Sequence, residues 1–135
     1  MNREKYDEYL RRFNARDYDG LLEYFAEDFE VSFAGYVLRG RQAVIDFYSF
    51  LHQYIDERIE IHRYVSDTNT IAMEADVKLK GIKELTPEIL ASKGLDRIVG
   101  LKPGQEHTIP QFIHYHLENG KFVKALCAAF EPPSD

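Results

Sequence analysis

The sequence of 135 residues contains no tryptophan and a single cysteine, Cys127. One thiol cannot form a disulfide within the chain, and without a second cysteine no zinc ribbon can be built. A chain of this length needs neither, because it buries roughly two-thirds of its unfolded surface on folding. We therefore expect a single domain over residues 1–135, stabilised by an apolar core.

Two further absences limit the partners and the compartment. The sequence has no run of basic residues, and 17 Lys and Arg against 23 Asp and Glu give a formal net charge of −6. A net-acidic chain is poorly suited to phosphate backbones, so we expect no nucleic-acid partner. No apolar run approaches a membrane span, and the charged first residues do not resemble a signal peptide. These features predict a cytoplasmic protein with no membrane partner.

Aromatic residues are abundant, with nine Tyr and nine Phe. The hydrophobic content of 44% is typical of a folded globular protein. So many rings need a core or a cavity to line.

The spacing of apolar residues changes along the chain, from a helical period in the first part to a period of two in the second. Apolar residues at helical spacing predict helices over residues 6–13 and 43–54, and a cap at Asp17 or Asp19 predicts a second helix that reaches Ala26. A short strand is predicted at residues 30–33. From residue 59 the period is two, and the sequence predicts strands at 59–65, 71–79, 108–117 and 122–130, with Pro132-Pro133 ending the ordered chain.

This order predicts an α+β fold, in which a curved antiparallel sheet packs against three N-terminal helices. Such a sheet forms a cone whose open end is a pocket. Residues 82–106 interrupt the sheet, and Thr86-Pro87 begins a short helix within them. The apolar residues of this insertion, Val99 among them, indicate that it either packs against the body or forms a lid over the cone.

Four segments resemble a known family in their order and spacing. They are residues 17–22 with 25–29, residues 38–47, residues 102–105 and residues 117–122. They resemble the nuclear-transport-factor-2-like (NTF2-like) superfamily, with its cystatin-like fold, of the SnoaL-like polyketide cyclase, ketosteroid isomerase and scytalone dehydratase kind. The resemblance implies a cofactor-independent acid–base enzyme, a dehydratase, isomerase or cyclase, that acts on a hydrophobic or aromatic carbonyl compound in the cone. The alternative is a non-catalytic module of the same fold that binds a small ligand or a protein.

The resemblance also suggests one catalytic tyrosine. Tyr9 falls where ketosteroid isomerases place the phenol that stabilises a developing oxyanion, although a tyrosine of the core is the alternative. The two acids of those isomerases fall near Phe33 and Ile113, which are apolar. This difference argues against steroid isomerisation by that mechanism.

His62 is the second catalytic candidate, because scytalone dehydratase carries a histidine on this strand. Opposite Met73, and on the same face as Tyr64, it would point into the cone and act as an acid or a base. A register that differs by one residue would turn His62 outward and bury Ile59 and Ile61.

The remaining candidates line the predicted pocket or the outer face of the sheet. Gln111 is expected to orient the ligand, and the predicted lining or rim residues are Phe13, Phe33, Tyr36, Phe47, Tyr64, Met73 and Ile113. His114 and His116 are predicted on the outer face with Ala125, Cys127 and Ala129, where two subunits would pair as a homodimer. His114 and His116 have no third ligand nearby, so no metal site is expected.

Overall fold

The computed structural model describes residues 1–98 and 100–130. Val99 and the predicted end of order at Pro132-Pro133 lie outside the described residues. The elements are α1 (Arg3–Asn14), α2 (Tyr18–Leu21), β1 (Phe25–Phe33), β2 (Tyr36–Arg39), α3 (Arg41–Leu51), β3 (Ile55–Ser66), β4 (Thr70–Gly81), α4 (Pro87–Ser92), β5 (Glu106–Glu118) and β6 (Lys121–Ala129). Among the described residues, no helix is both long and apolar enough to cross a membrane.

The six strands form one sheet in the order β2-β1-β6-β5-β4-β3. Every neighbouring pair is antiparallel except β1 and β6, which run parallel. N-terminal helices with a mixed, largely antiparallel sheet confirm the predicted α+β class. The predicted short strand is longer than expected, because β1 begins at Phe25.

The prediction for the second helix was wrong in its extent. Asp17 caps α2 as expected, accepting a hydrogen bond from the Gly20 backbone N–H at 3.0 Å, but the helix ends at Leu21. Phe25 and Phe29 lie in β1, where their rings stack with centroids 4.4 Å apart. A spacing of four residues fits one face of a helix and one face of a strand equally well, so the pattern did not distinguish them.

Helix α1 packs its aromatic face on the sheet. Asn2 caps this helix, and the predicted Tyr6, Tyr9 and Phe13 are buried. Phe122 of β6 is fully buried beneath them, with its ring 5.1 Å from that of Tyr9. This aromatic core holds α1 in one place on the sheet.

The segment between β4 and β5 packs against α3. Thr86 and Pro87 begin α4 as predicted, and the Thr86 hydroxyl accepts a hydrogen bond from the Ile89 N–H at 3.2 Å. A second apolar cluster joins this segment to α3 and the start of β3. Its buried members are Phe47, Leu51, Ile55, Leu85, Leu90, Leu95 and Leu101.

A β-bulge in β3 decides which side chains face the core. Ile61 pairs with Ala75 and Tyr64 with Met73, so β3 has one residue more than β4 over this stretch. Ile61 and Tyr64 both pack against the core, although an odd spacing separates them. The residue between the two registers, His62, is turned to the opposite face.

A second irregularity, at His116 and Leu117, shifts the pairing of β5 with β6. Ala125 pairs with Tyr115, Cys127 with Ile113 and Ala129 with Gln111, so all three belong to the inner face. Their predicted place on the outer face was therefore wrong. The outer partner of His114 is Leu126.

Candidate functional site

A cavity of about 520 Å³ lies on the inner face of the sheet. Its walls come from α1, α3, five of the six strands and the segment between β4 and β5, and most of them are apolar. Six of the predicted site residues line it. They are Tyr9, Phe13, Phe33, Phe47, Gln111 and Ile113.

Three other predicted lining residues lie elsewhere. The Tyr36 hydroxyl accepts a hydrogen bond from the Arg97 backbone N–H at 2.7 Å. Tyr64 donates its hydroxyl proton to the carbonyl of Met1 at 3.2 Å, and Met73 is buried in the core. These side chains support the structure around the cavity and are not part of its wall.

His62 does not face the cavity, so this prediction was wrong. Its side chain is 46% exposed on the outer face, with Nε2 3.0 Å from Oδ2 of Asp76. The cause is the β-bulge, which keeps Ile61 and Tyr64 inward and sends His62 outward. Tyr9 and His62 lie on opposite sides of the sheet and cannot touch one ligand.

The cavity wall also contains a carboxylate that the sequence pattern did not indicate. Glu57, the third residue of β3, lines the cavity with a side chain that is only 13% exposed. Among the described lining residues it is the one acidic group. Its Oε1 atom lies 2.8 Å from Nε2 of His52, the residue that caps the C-terminal end of α3.

His52 is enclosed by aromatic rings. The imidazole is 2% exposed, and its ring stacks on that of Tyr48 at 5.5 Å and on that of Tyr18 at 6.0 Å. The Tyr18 hydroxyl lies 2.8 Å from Nδ1. A continuous path of hydrogen bonds thus runs from Tyr18 through His52 to Glu57.

Two phenols complete the polar part of the cavity. Burial raises the pKa of Tyr9 and that of Tyr48 well above their usual value, so both hydroxyls stay protonated. Both side chains form part of the cavity wall, where a tyrosine hydroxyl is a hydrogen-bond donor for a ligand. The hydroxyl of Tyr115, by contrast, is paired with that of Tyr6 at 2.8 Å.

Cys127 also lines the cavity. Burial, with a smaller effect of Glu57, raises the pKa of its thiol to about 12. The thiolate is the nucleophilic form, so Cys127 is unreactive near neutral pH. Within residues 1–98 and 100–130, no three His, Cys, Asp or Glu side chains are placed to hold a metal ion.

Arg97 extends the cavity wall from the segment between β4 and β5. Its guanidinium donates to the Gly35 carbonyl at 3.2 Å and lies 5.5 Å from the centre of the Tyr36 ring. Gly35 has a φ of +84°, and a Cβ there would meet this guanidinium at 2.2 Å. The glycine therefore allows Arg97 to lie against the turn between β1 and β2.

Comparison with known proteins identifies a family and a fold. Residues 6–125 match the family described as SnoaL-like domain, whereas no curated protein matches the sequence. The chain is similar to an NTF2-like protein from Burkholderia pseudomallei, with 16% identity and a TM-score of 0.69 over 94% of this chain and 88% of that one.

Two further solved structures have the same fold. A SnoaL-like polyketide cyclase from Agrobacterium tumefaciens is 19% identical, with a TM-score of 0.69 over 93% of this chain and 88% of that one. A Catenulispora acidiphila protein with a ketosteroid isomerase-like fold, solved in complex with trimethylamine, is 11% identical, with a TM-score of 0.68 over 95% and 86%. Identities this low show a shared fold and leave the activity to the site itself.

Proposed function

The chain belongs to the SnoaL-like domain family and has the NTF2-like fold, and we propose that it is a cofactor-independent acid–base enzyme. Its substrate would be a hydrophobic or aromatic carbonyl compound held in the cavity. The observation that carries this proposal is Glu57, an acidic side chain in a largely apolar wall. In such a wall a carboxylate is suited to remove a proton from carbon.

The proposed chemistry divides the work between Glu57 and the phenols. The carboxylate takes a proton from the carbon next to the substrate carbonyl, and the electron pair of the C–H bond moves to the carbonyl oxygen as an enolate. Tyr9 and Tyr48 donate hydrogen bonds to that oxygen, and their raised pKa values allow this without loss of their own protons. Return of this proton from Glu57 to another carbon gives isomerisation. Attack of the enolate carbon on a second carbonyl, with the proton returned to the new alkoxide, gives cyclisation. Breakage of the bond to a β-hydroxyl, with the proton returned to the leaving oxygen, releases water and gives dehydration.

The cavity also suggests the size and character of the substrate. A volume of about 520 Å³ falls within the range of pockets for ordinary small molecules. Gln111 offers an amide that would orient the polar end of the ligand, as predicted from the sequence. The Catenulispora relative was solved with a small molecule, which supports small-ligand binding in proteins of this fold.

The proposal can be tested before the substrate is known. Elimination of nitrobenzisoxazole needs only a base that removes a carbon-bound proton. The N–O bond of the ring breaks at the same time, and the ring opens to a single product, a nitrophenolate that carries a nitrile. We expect the protein to accelerate this reaction well above free acetate at equal pH, and Glu57→Gln to lower kcat by at least about 10²-fold. The absorbance of the nitrophenolate product measures the rate.

A matched control is available on the same strand. Glu60 pairs with Lys78 on the exposed face of the sheet, and Glu60→Gln removes a carboxylate without changing the cavity. We expect this variant to react as fast as the unchanged protein. Equal rates in Glu57→Gln and Glu60→Gln would contradict the role of Glu57.

The second candidate is a binding module without catalysis. It is favoured by the apolar Phe33 and Ile113, which line the cavity at the positions where ketosteroid isomerases are expected to keep acids. Naphthol, a planar phenol, resembles an enolate and should raise the melting temperature of the protein in either case. A rise in melting temperature without acceleration of the elimination would favour the binding module.

A further inference from the structure

We propose that His52 is a positioning residue that holds the carboxylate of Glu57 in one orientation inside an apolar cavity. Tyr18 would fix the tautomer of His52 that makes this possible. The inference rests on the proposed role of Glu57 as the base. It adds two residues outside the cavity wall on which the base depends.

The proposed tautomer carries the imidazole proton on Nε2. The Tyr18 hydroxyl lies 2.8 Å from Nδ1 of His52, whereas its other acceptor, the Tyr48 carbonyl, is at 3.4 Å. A phenol that donates to Nδ1 requires this nitrogen to be unprotonated, so the proton of a neutral imidazole resides on Nε2. Nε2 then donates to Oε1 of Glu57 at 2.8 Å and leaves Oε2 to react.

The surroundings keep the imidazole in this place. The ring of Phe13 meets it edge-on at 5.3 Å, and the rings of Tyr18 and Tyr48 stack on it. With three neighbouring rings, His52 has little freedom to rotate away from Glu57. A base whose partner cannot move keeps its reactive oxygen in a constant direction.

The donor from His52 offsets the cost of burying a charge. Desolvation disfavours a carboxylate, and a hydrogen bond to the charged form favours it. The nearest arginine does not supply this bond, because Arg16 binds the carboxylate of Asp56 at 2.8 Å and the backbone carbonyl of Glu57 at 3.3 Å. Among the described residues, His52 is the donor that reaches the carboxylate of Glu57.

Other titratable groups also face this pair and enter any interpretation of its pH dependence. They come from α1, the following turn, α2, α3, the start of β3, the segment between β4 and β5, β5 and β6. These groups are Tyr9, Arg16, Tyr18, Tyr48, Asp56, Arg97, His107 and Cys127. The tyrosines and the thiol stay neutral near pH 7, Arg16 and Asp56 are paired with each other, and the Arg97 guanidinium donates to the Gly35 carbonyl.

The test follows the carboxyl-carbon NMR signal of Glu57 in the full chain at neutral pH. We expect His52→Phe to shift and broaden this signal, because the carboxylate loses its donor and is no longer held in one orientation. The same variant should lower kcat for the elimination of nitrobenzisoxazole by about tenfold and change KM little. Tyr18→Phe should give a smaller effect in the same direction, since Nδ1 is then free to take the proton.

Two further variants separate positioning from general damage. His52→Gln keeps an amide donor and should restore most of the NMR signal and kcat of the unchanged protein. His62→Phe breaks the other histidine–carboxylate pair, with Asp76 on the outer face, and should leave the Glu57 signal unaffected. An unchanged Glu57 signal in folded His52→Phe, or a His52→Gln variant whose signal shifts as much as that of His52→Phe, would overturn the proposal.

The two proposals fail in different ways. The NMR signal involves no reaction, so an unshifted Glu57 signal in His52→Phe counts against His52 even where Glu57 is essential for the elimination. A Glu57→Gln variant that retains full elimination, beside a clear shift in His52→Phe, counts against the enzyme proposal alone.

Discussion

At the residue scale, four buried tyrosines determine how the protein responds to alkali. Burial raises the pKa of Tyr6, Tyr9, Tyr48 and Tyr115 above the usual tyrosine value. Their ordinary pKa applies once the chain unfolds. The stability they contribute is therefore complete below about pH 10 and is lost as the pH rises further, by ~1.4 kcal/mol per pH unit for each group.

We therefore expect the tyrosinate absorbance to rise in two stages. The tyrosines that are less deeply buried ionise first, and the four deeply buried ones ionise together when the protein unfolds. Circular dichroism recorded on the same samples should change only in the second stage. A single smooth titration of all nine tyrosines, with the fold intact, would contradict the buried assignment.

Individual site residues were predictable from the sequence where local periodicity decides their direction. Tyr9 and Phe13 follow from the spacing of the first helix, and Gln111 follows from the more apolar face of β5. Glu57 could not be found in this way, because its partner His52 ends a helix and Glu57 begins a strand. No single period relates these two positions, and only the fold brings them together.

At the element scale, the segment between β4 and β5 is held to the body by a hydrogen bond that can be removed. The Tyr36 hydroxyl accepts from the backbone N–H of Arg97, a residue of the cavity wall. We expect Tyr36→Phe to lower the free energy of unfolding by about 1 kcal/mol. The amide of Arg97 should then exchange its hydrogen faster, and naphthol should leave the cavity faster, if this segment acts as the predicted lid.

Hydrogen–deuterium exchange followed by mass spectrometry measures this effect. Tyr54→Phe is the matched control, because this tyrosine packs on Phe50 and lies outside the cavity wall. Equal exchange at Arg97 in both variants would show that the Tyr36 hydroxyl does not restrain the segment.

The sequence correctly predicted those elements whose caps or turns are encoded by neighbouring residues. The Thr86 cap and the Asn119-Gly120 turn depend on neighbouring residues, and the structure has the short helix and the hairpin that they predict. The bulge at His62 leaves no such signal, because either register gives an acceptable alternation. Burial of Ile61 together with Tyr64 selects the bulge, and that selection is made by the packing against the core.

At the scale of the whole molecule, the outer face of the sheet carries an exposed aromatic pair. The rings of Phe112 and Phe130 stack with centroids 4.7 Å apart, and the residues are 48% and 41% exposed. The predicted homodimer through this face would bury them. We expect sedimentation velocity to show a dimer that Phe112→Asp dissociates, because a buried unpaired carboxylate opposes association.

The control for this experiment is Ile82→Asp. Ile82 is 52% exposed and follows the end of β4, away from the aromatic pair. The same charge introduced there should leave the dimer intact. A monomeric unchanged protein would contradict pairing through the outer face.

The parallel pairing of β1 with β6 has a consequence for biosynthesis. Phe25 is adjacent to Phe122 in the finished sheet, so the first strand to be translated finds its inner neighbour only when the last strand has left the ribosome. Until then, Phe25 and Phe29 have no sheet to cover them. The nascent chain therefore exposes an aromatic strand throughout most of its synthesis, the kind of surface that chaperones bind and that drives aggregation when translation stalls.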